Sequence, residues 1–350
     1  MEGKTSMDFT REDIFKLPKT DLHLHLDGSL RVPTIIELAK EYKVDLPTFD
    51  EEELTKRLVV PVDCPSLEAY LEPFNTTLSV LQEKDALTRV AFELAEDCAK
   101  ENVKLMEVRY SPILHQQKRM KLTEIVDAVL RGLKMAEKKY DIQTGVIICG
   151  MRHIEPAVSL RLAEVAVAYK YQGVCGFDLA GAEANHPAKD HKDAFYLILN
   201  NNVNCTIHAG EAFGPESIAQ ALHYCSAHRI GHGTHLKEDG DLLNYVNDHR
   251  IPLEICLTSN VQTKSCKTID DHPLRFYYDF GIRVTVNTDN RLMSNTTVTD
   301  ELWLAAQTFD LTLMDVKNII INGFKSSFLH YRDKVRLLHD VLPELGRTLL

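Results

Sequence analysis

A chain of 350 residues with 44% hydrophobic and 26% charged residues has the composition of a soluble globular protein, and no apolar run is long enough to span a bilayer. Its formal net charge of -11 and pI near 5.8 argue against a nucleic-acid backbone as partner, because phosphate binding needs a basic surface. Residues 1–10 contain no apolar secretion segment and the eight cysteines form no C-x-x-C pair, so a reduced, cytoplasmic protein without disulfides is expected.

Eight short β-rich apolar runs follow one another along the chain, at 21–25, 105–109, 145–149, 174–178, 205–208, 229–232, 253–256 and 283–287. Segments with apolar spacing near 3.6 lie between them, among them 122–137 and 157–168. Strands alternating with helices indicate a parallel sheet, and eight such units predict an α/β fold: a closed (β/α)8 barrel of the TIM type. An open doubly wound sheet is the alternative, but no Gly-rich phosphate loop follows any strand. The expected organisation is one barrel domain over residues 1–350.

The first connection is much longer than the rest. Residues 30–100 carry helical patterns at 32–42, 67–82 and 85–101. This insertion follows the first strand, so in a barrel it belongs to the catalytic face. Leu71, Phe74 and Leu78 sit there at helical spacing, which fits either an apolar cover of the site or an extra helix packed on the barrel.

Polar residues gather where the runs end. His23 and His25 alternate within the first run, so they share one face of a strand, where buried imidazoles need a partner for their lone pairs. Asp27 follows them. The fifth run ends in His208-Ala-Gly-Glu211, the sixth in Gly231-His232-Gly233 and the eighth in Asn287-Thr-Asp289-Asn290. In a barrel these ends converge on one mouth. His23, His25, His208 and Asp289 make a nitrogen-rich, one-carboxylate set that suits zinc, and a bound cation makes hydroxide available from water at neutral pH. Glu211 remains as a proton donor if burial raises its pKa, and His232 as a base or as a stabiliser of developing charge. Metal-assisted hydrolysis of a polar carbon is the expected chemistry.

These residues resemble the adenosine deaminase family of the amidohydrolase superfamily. The matching segments run in the family's order from residue 20 to residue 290: Thr20–Ser29, Glu107–Pro112, Gly176–Glu183, His208–Glu211, Arg229–Gly233, Glu254–Cys256 and Val286–Asp289. The resemblance implies zinc-dependent hydrolysis of adenosine and 2′-deoxyadenosine to inosine or deoxyinosine and ammonia. It implies one zinc ion on His23, His25, His208 and Asp289. It further implies that Glu211 protonates purine N1 and that His232 orients and deprotonates the attacking water. His25, Asp27, Gly181 and Asn290 are the implied substrate contacts, with the Gly181 N–H at N3 and Asp27 at the ribose 5′-hydroxyl. The implied partners are a small purine nucleoside and water, with neither nucleic acid nor membrane.

One position departs from the family's commonest form, which has a second Asp after the metal-binding Asp. Here it is Asn290, whose amide can donate directly to N7, whereas a carboxylate needs a proton between them. Arg109 and Tyr110-Ser-Pro112 are read as supporting the barrel or shaping its mouth, and Asp178 as supporting a ligand or neighbour or making a simple strand-end hydrogen bond. Asp63, His153, His186 and His272 are read as surface residues. Rival aminohydrolase substrates are adenine, AMP, an N6-modified AMP or a futalosine-type purine.

Overall fold

The computed structural model describes residues 7–346; residues 1–6, part of the segment read above as lacking a secretion signal, lie outside it. Each expected run is a strand: β1 (Lys19–His25), β2 (Val103–Tyr110), β3 (Gln143–Met151), β4 (Val174–Ala180), β5 (Asn204–Ala209), β6 (Arg229–His232), β7 (Leu253–Ile255) and β8 (Val284–Val286). They pair in parallel in sequence order from β1 to β8. The ring is closed just beyond β8. His25 N–H donates to the Asp289 carbonyl at 2.7 Å and Asp289 N–H to the His23 carbonyl at 2.8 Å, while Leu22 N–H donates to Asn287 Oδ1 at 2.9 Å. The fold is a (β/α)8 barrel. Its closing bonds lock His23, His25 and Asp289 into one register, so the seam of the fold is also part of the site.

The helices between strands bury one apolar stripe each. Leu122–Glu137 buries Ile125, Val126, Val129, Leu130 and Leu133, a 3-and-4 spacing that faces the barrel; burying each such side chain is worth about 1.5–3 kcal/mol. Three helices follow β8: Val298–Phe309, Leu313–Ser326 and Tyr331–Glu344. The second is tied to the barrel by Asn322, whose amide donates to the Val284 carbonyl at 3.2 Å.

The insertion differs from its sequence pattern in two ways. The helix expected over 67–82 is two helices, Leu67–Leu71 and Phe74–Val80: Glu72 and Pro73 keep right-handed backbone, but Pro73 has no N–H to continue the helical ladder. A helix at Glu51–Leu58 was not expected; Asp50 caps it by accepting the Glu53 N–H at 2.8 Å. Val60, Cys64, Leu67, Tyr70 and Met293 form a small apolar cluster of their own. With the Val60 N–H donating to the Met293 carbonyl at 2.8 Å and Gln262 Nε2 to the Val60 carbonyl at 2.6 Å, it fastens the insertion over the ends of β7 and β8.

All eight cysteines are free and seven of them buried, and no described helix is long and apolar enough to cross a membrane.

Candidate metal centre and active site

Three ring nitrogens and a carboxylate oxygen converge at the mouth. His23 Nε2 lies 3.1 Å from His208 Nε2, and His25 Nε2 lies 3.2 Å from the same atom. Asp289 Oδ1 is 3.4 Å from His23 Nε2 and 3.3 Å from His25 Nε2. The other nitrogens of two rings are committed as donors: His23 Nδ1 to Glu254 Oε2 at 2.9 Å and His208 Nδ1 to Asp178 at 3.0 Å. Their Nε2 atoms therefore turn lone pairs toward each other. That is repulsive unless a cation lies between them. Zinc–nitrogen bonds of about 2.0–2.1 Å give tetrahedral ligand separations in this range.

Charge balance points the same way. Buried Arg109 pairs with Asp178 at 3.1 Å and Glu254 at 2.9 Å. Buried Arg229 pairs with Glu107 at 2.7 Å and Glu254 at 2.5 Å. Burial opposes ionisation of Glu254, but Arg109 and Arg229 override it and hold the carboxylate well below its usual range. Asp289 is a buried carboxylate outside this pairing of Arg109 and Arg229 with Glu107, Asp178 and Glu254. A divalent cation would offset this negative charge, and the donor set fits a metal. His23, His208, His232 and Asp289 all bring a ligand atom within 4.8 Å of one another; His25 joins them through its contacts to His208 and Asp289.

Glu211 and His232 stand beside this cluster, with His232 Nε2 3.6 Å from Glu211 Oε2. Burial, reinforced by Asp289 and Glu183, pushes the Glu211 carboxyl up to about 8, so it holds a proton at neutral pH. Its loop is held by Glu183, whose carboxylate accepts the N–H groups of Gly210, Glu211, Ala212 and Phe213 at 2.6–3.1 Å. His232 and Asp289 both adopt left-handed backbone, φ 64° and 60°, a conformation that costs a residue with a side chain about 1–3 kcal/mol and persists where surroundings enforce it. Asp289 Oδ2 is fixed by the Ser259 hydroxyl at 2.6 Å.

A cavity of about 210 Å³ opens on these groups, with His25, Asp27, Gly181, Glu211, His232 and Asn290 in its wall. Leu71, Phe74 and Leu78 cover it, one of the two arrangements their spacing allows. Asp27 is buried with Oδ1 unpartnered, and burial raises its carboxyl to about 7. Gly181 has φ +91°, and a Cβ there would come within 3.1 Å of His153 Nδ1, so its bare backbone faces the cavity. Asn290 packs so tightly on Gly28 that a Cβ on Gly28 would fall 1.9 Å from Asn290 Oδ1. Asn290 Nδ2 donates to the Tyr70 hydroxyl at 2.9 Å, which also meets Ser294 Oγ at 2.9 Å. Tyr70 thus links the insertion to Asn290.

Arg109 is the hub of a buried charge network, and Asp178 orients His208; Tyr110 and Ser111 line the cavity. Asp63 is exposed, His153 is exposed at the cavity rim and His186 is half-buried. His272 is a correction. It is buried at 3% exposure because Leu274 N–H and Asn260 satisfy its two nitrogens. Asn260, in turn, contacts His232 Nδ1 at 2.9 Å. Asn260, His272, Ser259 and Tyr70 were all missed from sequence. Only the polar run Thr258-Ser259-Asn260, in the short helix Leu257–Gln262 that follows β7, carried a local hint.

Residues 18–343 match the family model described as adenosine deaminase. A probable adenosine deaminase of Dictyostelium discoideum is 43% identical over 337 residues, covering 96% of this chain; the chain spans 44% of that relative's length. Adenosine deaminase 1 of Streptomyces coelicolor is 43% identical over 346 residues, covering 94% of this chain and 87% of the relative. Among solved structures, an adenine deaminase from Arthrobacter aurescens superposes with a TM-score of 0.88 at 25% identity, covering 94% of this chain and 99% of that one. With a family-model match over residues 18–343, relatives 43% identical and a matching fold, the chain belongs to the adenosine deaminase family.

Proposed function

We propose that this chain is a zinc-dependent, cytoplasmic aminohydrolase of purine salvage. It hydrolyses adenosine and 2′-deoxyadenosine to inosine and 2′-deoxyinosine with release of ammonia, working as one barrel domain over residues 1–350 with the 30–100 insertion as its cover. The observation that carries this reading is the convergence of His23, His25, His208 and Asp289 beside a buried, proton-holding Glu211. These four residues would hold one zinc ion, which supplies Lewis acidity and makes water a nucleophile at neutral pH.

The rest of the chemistry belongs to the protein. Glu211 gives its proton to purine N1, which makes C6 electrophilic. His232 orients the water that attacks C6. The Gly181 N–H meets N3, across the ring from the reacting carbon, and the Asn290 amide donates to N7, so the base is gripped at two edges; His25 contributes to the same wall. Asp27 takes the ribose 5′-hydroxyl, which gives its buried oxygen the partner it lacks. The apolar cover from Leu71, Phe74 and Leu78 excludes bulk water.

Rival substrates fit less well. Among the described residues no Lys or Arg lines the cavity, so the phosphate of AMP or an N6-modified AMP would meet Asp27 without a cation. Free adenine would leave Asp27 unpaired. Ultraviolet absorbance with adenosine, deoxyadenosine, adenine and AMP as separate substrates tests the assignment: nucleoside turnover alone is expected, and turnover of AMP or adenine instead would overturn it.

A further inference from the structure

The Tyr70 hydroxyl sits between Asn290 and Ser294, and its single hydrogen decides which way the Asn290 amide lies. The hydroxyl accepts from Asn290 Nδ2 at 2.9 Å and meets Ser294 Oγ at 2.9 Å. A turn fixes the other two residues relative to each other, the Ser294 N–H donating to the Asn290 carbonyl at 2.9 Å. With its hydrogen on Ser294 Oγ, the phenol turns lone pairs to Asn290, and only the NH₂ end of the amide fits there. Gly28 selects the same orientation from the other end. A Cβ on Gly28 would fall 1.9 Å from Asn290 Oδ1, so the α-hydrogen in that direction points at the oxygen. That contact is weakly attractive, and an NH₂ in place of the oxygen would make it repulsive. Tyr70, Asn290 and Ser294 are 1%, 3% and 4% exposed, so bulk water does not compete for these bonds.

One N–H of Asn290 is thereby committed to Tyr70. The second has no protein partner among the described residues, and Asn290 and Tyr70 both stand in the cavity wall. Tyr70 reaches Asn290 from the cover, not from the barrel. It lies in the helix Leu67–Leu71, which Ser66 caps by accepting the Ala69 N–H at 3.3 Å. Its ring centroid is 6.4 Å from that of Phe74 in the next helix.

We propose that Tyr70 is a positioning residue that sets base selectivity: its hydroxyl holds one N–H of Asn290 and so presents the other to N7, and the base is read only with the cover in place. This rests on the function proposed above, which sets N7 against Asn290. The hydroxyl carries the effect, not the ring. A phenylalanine at 70 fills the same space and keeps the apolar contacts of the cluster with Val60, Leu67 and Met293. Only the weak Gly28 contact would then oppose turning the amide over, which sets its oxygen lone pair against that of N7.

The test is binding of two nucleosides that this chemistry does not hydrolyse. 1-Deazaadenosine has no N1 to protonate, and 1,7-dideazaadenosine differs from it only at N7, where a C–H replaces the acceptor. Kd is measured for both by calorimetry on zinc-loaded wild-type and Tyr70→Phe protein. Wild type is expected to prefer 1-deazaadenosine by roughly 2- to 12-fold, the worth of one hydrogen bond. Tyr70→Phe is expected to erase that preference by weakening 1-deazaadenosine alone, with zinc content unchanged. An equal loss for both ligands would mean that Tyr70 acts only by packing the cover, and overturns the proposal. A preference that survives the substitution, or that is absent from wild type, overturns it as well. Should Tyr70→Phe not fold, Ser294→Ala decides: it removes the oxygen that takes the phenol hydrogen, frees that hydrogen to turn to the amide, and is expected to reduce the preference, whereas an unchanged preference overturns the proposal. Wild-type protein that binds neither nucleoside and does not turn over adenosine would instead overturn the function on which the proposal rests.

Discussion

Glu254→Gln removes one charge from a buried carboxylate shared by four donors. Oε2 accepts from His23 Nδ1 and Arg109 Nη2, both at 2.9 Å. Oε1 accepts from Arg229 Nε at 2.5 Å and from the Thr206 hydroxyl at 3.0 Å. Glutamine has the same shape but only one oxygen, so its NH₂ must face one of these donor pairs. Two buried guanidiniums also lose a shared counter-charge. Breaking a buried pair from one side costs about 3–5 kcal/mol, a large share of the roughly 5–15 kcal/mol that holds a domain together. His23 loses the acceptor that fixes its tautomer, and such losses weaken metal binding about 10–100-fold. Guanidinium unfolding of the metal-free protein isolates the first effect, and zinc competition against a chelator isolates the second. A metal-free loss below about 1 kcal/mol, with zinc affinity unchanged, would refute the claim that one carboxylate supports both the barrel and the metal site.

Glu211→Gln keeps the loop geometry but has no proton to give; zinc content should be retained while kcat falls about 10²–10⁴-fold, and a near-normal rate would exclude Glu211 as the acid. The proton must be present for turnover, so activity should persist below and fall as pH rises through about 8, the raised value of Glu211, and Glu211→Gln should lack that limb in a pH–rate profile. 7-Deazaadenosine lacks N7 and should be processed more slowly than adenosine by the worth of one hydrogen bond, about 0.5–1.5 kcal/mol; equal kcat/KM would show that Asn290 does not read N7. Asp27→Asn should weaken discrimination between adenosine and 5′-deoxyadenosine, measured as the ratio of their kcat/KM values, and an unchanged ratio would remove Asp27 from the ribose site.

Fold and site were legible where chemistry coincides with periodicity. The alternation of His23 and His25 put both rings on one face of β1, and polar strand ends marked β5, β6 and the segment after β8. The cover was legible, as one of two readings, through helical spacing at Leu71, Phe74 and Leu78, but its break at Pro73 was not read. Arg109 and Asp178 were legible as supporting residues, but the pairings were hidden because the partners are distant in sequence, as with His23 and Glu254 or Arg109 and Asp178. β7 is only three residues long, too short to show which side of Glu254 faces inward. His272 read as a surface residue since a lone histidine in a polar loop has no periodic signal; only the folded loop brings Asn260 and the Leu274 amide to it.

The most direct measurement is ultraviolet absorbance of purified, metal-analysed protein incubated separately with adenosine, deoxyadenosine, adenine and AMP, with ammonia release followed in parallel. Fast conversion of the two nucleosides by zinc-containing protein, lost on chelation and restored by zinc, is the predicted result. Metal-replete protein that releases no ammonia from either nucleoside would contradict the proposed function.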